Sequence, residues 1–362
     1  GMKYMVITTK HHDGFCLWDS EFTDYKITNT PYGKDLIKEV VKAFREQDIR
    51  VGFYYSLLDW HHPEYTTDHK HPLKNDPEYV SMDKERDMVI YQQYMQKQLT
   101  ELMSNYGRID HMFFDFSFVP QEGYAGKGRD EWNSPELLEI VRELQPACII
   151  NDRLDLMDVE GGWDFRTPEQ FMPDEWVRYN GEKVAWETCQ TLSGRWSYVG
   201  EENAEWKTTG QVIKMLIEVV SKGGNLLLNV GPNARGEMDP KSAGLLLEIG
   251  EWMHLHDRSI YNCTAAPEGI RVHDGNLLSY NPEKNVLYLH LLNWPFKEVS
   301  VKGILDQVKY AQFLHDGSEV KTREMEKGPW MKNENGKADY HTFSLPVQKP
   351  EIEIPVIEIF LY

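Results

Sequence analysis

Six apolar runs in this chain end in polar residues able to do chemistry. The run over residues 3–9 gives way to Lys10, His11, His12 and Asp13, and a second closes in Tyr54, Tyr55 and Ser56, with Asp59, Trp60, His61 and His62 just beyond. Asp115 follows Met112, Phe113 and Phe114; Asn151, Asp152 and Arg153 close a fourth run, Trp186 and Glu187 a fifth, and Asn229 a sixth. Asp115 should therefore emerge at a strand end with aromatic walls beside it. Glu169 lies in the loop beyond Arg153, where Pro168 fixes the local backbone. Two such carboxyls can cleave a glycosidic bond with retention. One, ionised, attacks the anomeric carbon; the other, protonated, gives its proton to the leaving oxygen, the two standing about 5–5.5 Å apart. Burial and a neighbouring negative charge keep the acid protonated, and hydrogen bonds keep the nucleophile ionised. The guanidinium fork of Arg153 is a candidate partner for Asp115 or for a sugar hydroxyl. Taken singly, each residue also reads as an ordinary cap or solvated loop group; only their convergence on one rim points to a site.

The elements that must position them alternate. Short β-branched or aromatic runs at 3–9, 51–56, 112–115, 147–151, 184–188 and 225–230 are separated by segments of helical period, such as Ile37, Val40, Val41 and Phe44, or Val212, Met215, Leu216, Val219 and Val220 before Gly223 and Gly224. This predicts an α/β fold, a (β/α)8-type (TIM-like) barrel with its active site at the C-terminal strand ends. From about residue 260 the pattern becomes short alternating strands, including 286–292 and 354–360, with Asn-Pro and Asp-Gly turns. The expectation is a catalytic barrel domain over 1–259 and an antiparallel β-sandwich over 260–362.

Bulk properties exclude other classes. With 362 residues and 41% hydrophobic content the chain can fill two cores, and its formal net charge of −19 repels nucleic acid and anionic lipid. No run reaches the roughly 18 apolar residues of a membrane span, and the first residues lack the layout of a secretory signal. Cys16, Cys148, Cys189 and Cys263 are scattered without CxxC spacing and read as inert core thiols. The tandem His11–His12 and the group His61, His62, His69 and His71 raise a metal reading. Adjacent strand residues face opposite ways and no HExxH spacing occurs, so hydrogen bonding to hydroxyls is the better reading and no metal or organic cofactor is expected. Phosphate-cradling glycine loops and GxSxG are also absent.

The segments KHHDGF (10–15), GFYYS (52–56), NDR (151–153), TPE (167–169), WETC (186–189) and GGNLLLNVGP (223–232) resemble, in order, the hallmark blocks of the α-L-fucosidases of glycoside hydrolase family 29. The resemblance covers residues 2 to about 260. It implies an exo-acting retaining α-L-fucosidase that works through a covalent fucosyl-enzyme, with Asp115 as nucleophile and Glu169 as acid/base, Glu187 in reserve. It implies fucose contacts from His11, His12, Tyr55 and Arg153, with Tyr54 a further candidate. Phe113 is a hydrophobic wall where the family often has Trp, and Trp60 and Trp196 are candidate platforms. The implied partner is a fucosylated oligosaccharide or glycoconjugate, not nucleic acid or membrane; homo-oligomers are left open, as are cytoplasmic, periplasmic and secreted locations. Family members normally carry an upstream segment with the first barrel strand and a His-Trp-Gly motif, so the barrel is expected to be incomplete at its N-terminus, and the chain alone poorly active and aggregation-prone. The alternative is a sugar-binding, catalytically impaired relative or a truncated fragment of the same fold.

Overall fold

A computed structural model describes residues 1–119, 121–122, 124–200, 204–324 and 340–362, in two compact units, residues 2–167 and 168–362, Gly1 grouping with the second.

In the first unit β1 (Tyr4–Lys10), β2 (Arg50–Ser56), β3 (His111–Asp115) and β4 (Ile149–Ile150) form a parallel sheet in sequence order. The connections carry α1 (Leu36–Arg45), α2 (Pro77–Ser81), α3 (Met88–Asn105), α4 (Arg129–Trp132) and α5 (Ser134–Leu144). Helix starts follow side-chain chemistry: the Asp35 carboxylate accepts from Lys38 N–H at 2.9 Å and that of Asp87 from Val89 N–H at 2.9 Å, satisfying amides that have no partner within the first turn. Ile37 and Val41 on α1 and Leu99 and Leu102 on α3 pack into one core with Val51, Phe53 and Tyr55 of β2. A register shift between Thr8 and Lys10 marks a bulge at the end of β1, so Thr8 lies opposite Tyr54 and Lys10 opposite Tyr55.

The second unit opens with a small hairpin, β5 (Arg178–Tyr179) and β6 (Glu182–Lys183), then a parallel pair, β7 (Glu187–Thr191) and β8 (Asn225–Asn229), joined through α6 (Thr209–Ser221). The glycine pair before β8 is required by packing. A Cβ at Gly223 would meet the Trp176 ring at 2.4 Å, and one at Gly224 the Trp186 ring at 2.4 Å. After α7 (Pro240–His256), capped by Asp239, come β9 (Thr264–Ala265), β10 (Arg271–Val272), β11 (Leu277–Asn281), β12 (Val286–His290), β13 (Glu298–Lys302), β14 (Val308–Phe313), β15 (Thr322–Glu324), β16 (Tyr340–Ser344) and β17 (Val356–Leu361). They form two antiparallel sheets, β10-β13-β16-β15 and β14-β17-β12-β11-β9. Leu287, Leu289 and Ile357 from one sheet and Val299, Val301 and Phe343 from the other share one core, as a sandwich requires.

Two strands depart from expectation. The run expected at 184–188 begins only at Glu187, and Thr188, Cys189, Gln190 and Thr191 extend it, all of them buried. The run at 147–151 is reduced to Ile149–Ile150, because a side chain takes over its pairing, as shown below. Among the described residues no helix is long and apolar enough to cross a membrane.

Candidate active site

Asp115 is the last residue of β3, in register with Ser56 at the end of β2. Its Oδ1 accepts from Arg153 Nη1 at 2.7 Å and from Phe116 N–H at 2.9 Å; its Oδ2 accepts from the Tyr54 hydroxyl at 2.7 Å. Three donors on one largely shielded carboxylate hold it in a fixed orientation. Phe116 reaches this geometry with φ +80°, a left-handed conformation that costs a bulky residue energy and that turns its amide back on the preceding side chain.

His11 extends the network. Its Nδ1 accepts from His12 N–H at 2.8 Å, so the ring proton sits on Nε2, 3.2 Å from the Tyr54 oxygen. The polarity of the chain follows: His11 donates to Tyr54, and Tyr54 donates to Asp115. Burial, reinforced by the neighbouring His12, pushes the His11 pKa down to about 4, so the ring is neutral and this tautomer persists at neutral pH. Phe113 stacks on Tyr54 with ring centres 5.6 Å apart and lies under the Arg153 guanidinium at 5.6 Å. His12 stacks on Trp60 at 3.9 Å, and its backbone carbonyl accepts from Trp60 N–H at 2.8 Å. Burial lowers the His12 pKa as well.

Tyr55 is corrected. The sugar contact expected there does not fit a side chain with no exposed surface whose hydroxyl donates to Gln98 Oε1 at 2.8 Å, on the helix-facing side of the sheet. Neighbours on a strand face opposite ways, and Tyr54 is the one turned to Asp115. The structure thus brings His11, Tyr54, Phe113, Asp115 and Arg153 together, with the His12–Trp60 stack beside them.

Several supporting residues were missed as site residues. Asn151 is fully buried and pairs with both backbone groups of Phe114: its Oδ1 accepts from Phe114 N–H at 3.0 Å and its Nδ2 donates to the Phe114 carbonyl at 2.9 Å. Its amide thus continues the β3–β4 ladder past Ile150, next to Asp115. The Asp152 carboxylate accepts from Arg166 Nε at 2.6 Å and from Thr167 N–H at 3.1 Å. Thr167 in turn accepts from Arg153, through its hydroxyl at 3.0 Å and its carbonyl at 3.1 Å. Beneath His11 and His12, Lys10 and Asp59 form an ion pair at 3.1 Å with side chains 0% and 2% exposed. Asp59 Oδ1 accepts from the amides of His61 and His62, and a Cβ at Gly14 would collide with it at 2.3 Å. A lysine closing an apolar strand run, with a glycine four residues on, was the available signal.

In the second unit Glu169 is exposed and its backbone bridges to Cys189: Gln170 N–H donates to the Cys189 carbonyl at 3.0 Å. Glu187 is 4% exposed and is the first residue of β7, opposite Asn225; the other end of the pair is Thr191 opposite Asn229. It therefore opens its strand rather than closing it. Trp196 is 40% exposed, and its carbonyl accepts from Asn229 Nδ2 at 2.8 Å. Among the described residues no three His, Cys, Asp or Glu side chains gather into a metal-ligating group.

Comparison with known proteins shows what the chain as a whole is similar to. The family described as alpha-L-fucosidase matches residues 1–258. An α-L-fucosidase of Dictyostelium discoideum is 30% identical over 268 residues, which are 72% of this chain and 53% of that protein, so the chain spans about half the length of this curated relative. The α-L-fucosidase isoenzyme 1 of Paenibacillus thiaminolyticus superposes with TM-score 0.88 at 40% identity, over 100% of this chain and 83% of that one. A family 29 α-L-fucosidase of Bacteroides thetaiotaomicron, described as a trapped covalent intermediate with 2-fluoro-fucosyl fluoride, superposes with TM-score 0.80 at 27% identity, over 99% of this chain and 79% of that one.

Proposed function

We propose that this chain, which belongs to the α-L-fucosidase family, is an exo-acting retaining α-L-fucosidase that removes terminal α-L-fucosyl groups from glycans or glycoconjugates. The observation that carries the reading is the Asp115 carboxylate, fixed at a strand end by Arg153, the Phe116 amide and Tyr54. Asp115 attacks the anomeric carbon while Glu169 gives its proton to the departing oxygen. The C–O bond to the leaving group breaks, and a fucosyl ester forms on Asp115. Glu169, now ionised, takes a proton from water as that water attacks the same carbon, freeing fucose and restoring both carboxyls. The trapped covalent intermediate of the Bacteroides relative supports the two-step route.

Glu169 is preferred to Glu187 because acids of such a fold act from the C-terminal strand ends, and Glu187 lies at the opposite end of β7. The same reading assigns β1 to β4, β7 and β8 to a (β/α)8-type barrel and residues 260–362 to an appended sandwich. His11, His12, Tyr54 and Arg153 meet fucose hydroxyls, and Phe113, Trp60 and Trp196 supply apolar faces.

The experiment is Asp115→Gly with 4-nitrophenyl α-L-fucoside. Activity is expected to fall by about three or more orders of magnitude, the scale for loss of a nucleophile. Azide is expected to restore turnover and yield β-fucosyl azide, since it enters on the face that Asp115 vacates. Full activity in the variant, or an α-linked azide product, would overturn the assignment.

A further inference from the structure

Beyond Asp115 the chain continues outward. After the turn at Phe116, Phe118 pairs with Lys127 and Gln121 with Tyr124: Phe118 N–H donates to the Lys127 carbonyl at 2.8 Å and Tyr124 N–H to the Gln121 carbonyl at 2.9 Å. The loop is a built feature. A Cβ at Gly126 would stand 1.9 Å from the Phe118 carbonyl oxygen, and His69 N–H donates to the Ala125 carbonyl at 2.9 Å, tying the loop to the segment before α2.

A line of rings runs along it from the site. His11 meets Phe116 edge-on at 5.5 Å, Phe116 lies 6.2 Å from Phe118, Phe118 meets His69 edge-on at 5.1 Å, and His69 packs on Tyr124 at 3.9 Å. The Tyr124 hydroxyl lies 2.6 Å from His69 Nε2, which holds the outermost ring in place. Ser117, Phe118, Val119, Gln121 and Tyr124 line an open cleft of about 370 Å³. Within that lining the Ser117 hydroxyl is buried and has no hydrogen-bond partner among the described residues. An orphaned buried hydroxyl beside a cleft is a group waiting for a ligand.

We propose that this cleft is a second carbohydrate subsite, which holds the neutral pyranose that departs when fucose is removed. A pyranose presents an apolar C–H face and a rim of hydroxyls. Phe118, Val119 and Tyr124 match the face; Ser117 and Gln121 match the rim with neutral groups that both donate and accept. Among the described residues no carboxylate lines the cleft, so a neutral ring meets no charge there that must be desolvated without a partner. The volume is at the small end of ligand sites, roughly 300–1,000 Å³, which fits one or two rings rather than an extended glycan. The lining begins at Ser117, two residues after Asp115 in the chain, and the line of rings connects it to His11 beside that carboxylate.

The proposal rests on the fucosidase reading, and its test separates the two. α-L-Fucosyl fluoride has a leaving group too small to reach the cleft; 2′- and 3-fucosyllactose carry lactose. In Tyr124→Ala and in Ser117→Ala, the kcat/KM ratio of the better fucosyllactose to the fluoride is expected to fall ten-fold or more and three-fold or more, chiefly through KM. Equal losses on both substrates, or a ratio within two-fold of wild type in both variants, would overturn the subsite. If wild type cleaves no fucoside, the fucosidase reading fails by itself, and saturation-transfer NMR with lactose decides the cleft. Transfer that is lost in Tyr124→Ala supports it, and transfer that is absent or unchanged overturns it.

Discussion

Replacing Tyr54 with phenylalanine tests the hydrogen-bond chain at its middle link. The substitution keeps the ring against Phe113 and His11 and deletes only the hydroxyl that donates to Asp115 Oδ2 at 2.7 Å. A hydrogen bond to an ionised group contributes about 1.5–3 kcal/mol. The Asp115 side chain is 14% exposed and keeps two other donors, so the lower part of that range applies, about 1.5–2 kcal/mol. At a factor of ten for each 1.36 kcal/mol this corresponds to about 10- to 30-fold in rate. The step affected follows from charge. On the proposed mechanism, attack by Asp115 spends its negative charge, and the bond to Tyr54 weakens as the ester forms. Hydrolysis of the ester regenerates the carboxylate, and the hydroxyl stabilises it as it leaves. Tyr54→Phe is therefore expected to slow deglycosylation more than glycosylation. Stopped-flow assays with 4-nitrophenyl α-L-fucoside should show a burst of nitrophenolate, kcat lower by about 10- to 30-fold, KM lower too, and kcat/KM little changed. A fall in kcat/KM as large as that in kcat, without a burst, would refute the polarity assigned to the His11–Tyr54–Asp115 chain.

Glu169→Ala is expected to slow fucosyllactose hydrolysis by about 10²- to 10⁴-fold while sparing the first step with 2,4-dinitrophenyl fucoside, the mark of a lost general acid; Glu187→Ala should affect both substrates alike and lower Tm, and the reverse pattern would move the role to Glu187. Asn151→Ala leaves both backbone groups of Phe114 without their buried partner, so a loss of about 2–4 kcal/mol in denaturant unfolding is expected, with kcat/KM at least ten-fold lower while the variant is still folded by circular dichroism. An Asn151→Ala protein as active as wild type would show that this amide does not position Asp115. Acid stability depends on His290, fully buried on β12 with Nε2 2.8 Å from the Ser279 hydroxyl, its pKa pushed down by burial to about 3. The unfolded chain protonates near 6.5 and the folded one does not, so the stability from this group is complete above pH 6.5 and declines as pH falls toward 3; between pH 6.5 and 5 the loss is about 2 kcal/mol. Thermal melts of His290→Gln should show a shallower decline over that interval, and an unchanged slope would refute the assignment.

The elements were legible where periodicity had one phase. The first three parallel strands, α1 and α6 fall close to where apolar spacing puts them, because each has one face or one stripe to bury. Side-chain direction on β2 was not legible, since Gly52 and Phe53 are buried on its two faces and hydropathy then carries no phase. Hydropathy therefore cannot separate Tyr54 from Tyr55 as the candidate contact. β7 slipped for the same reason: Val184-Ala185-Trp186 and Thr188-Cys189-Gln190-Thr191 are equally credible strand stretches, and only pairing with β8 decides between them. Asn151 as a stand-in for backbone was beyond any local signal, because its partner lies 37 residues away in sequence.

The spacing of the block at residues 10–14 becomes intelligible from the bulge at the end of β1. Without it, strict alternation would carry Lys10 out of phase with Tyr55; with it, Lys10 stands opposite Tyr55 and its ammonium lies 4.4 Å from that ring and 3.1 Å from Asp59. A charge so deeply buried is tolerated only with its partner in place, and losing one member of such a pair costs about 3–5 kcal/mol. Asp59 is held in turn, and with its other oxygen it caps the turn through His61 and His62 that sets Trp60 against His12. Gly14 is the residue whose missing Cβ lets the carboxylate sit there. One strand end thus sends Lys10 to build the support and His11 toward Asp115 through Tyr54. The block therefore encodes a scaffold as much as a site, and Lys10 and Asp59 are tied to Asp115 through the residues they hold rather than by touching it.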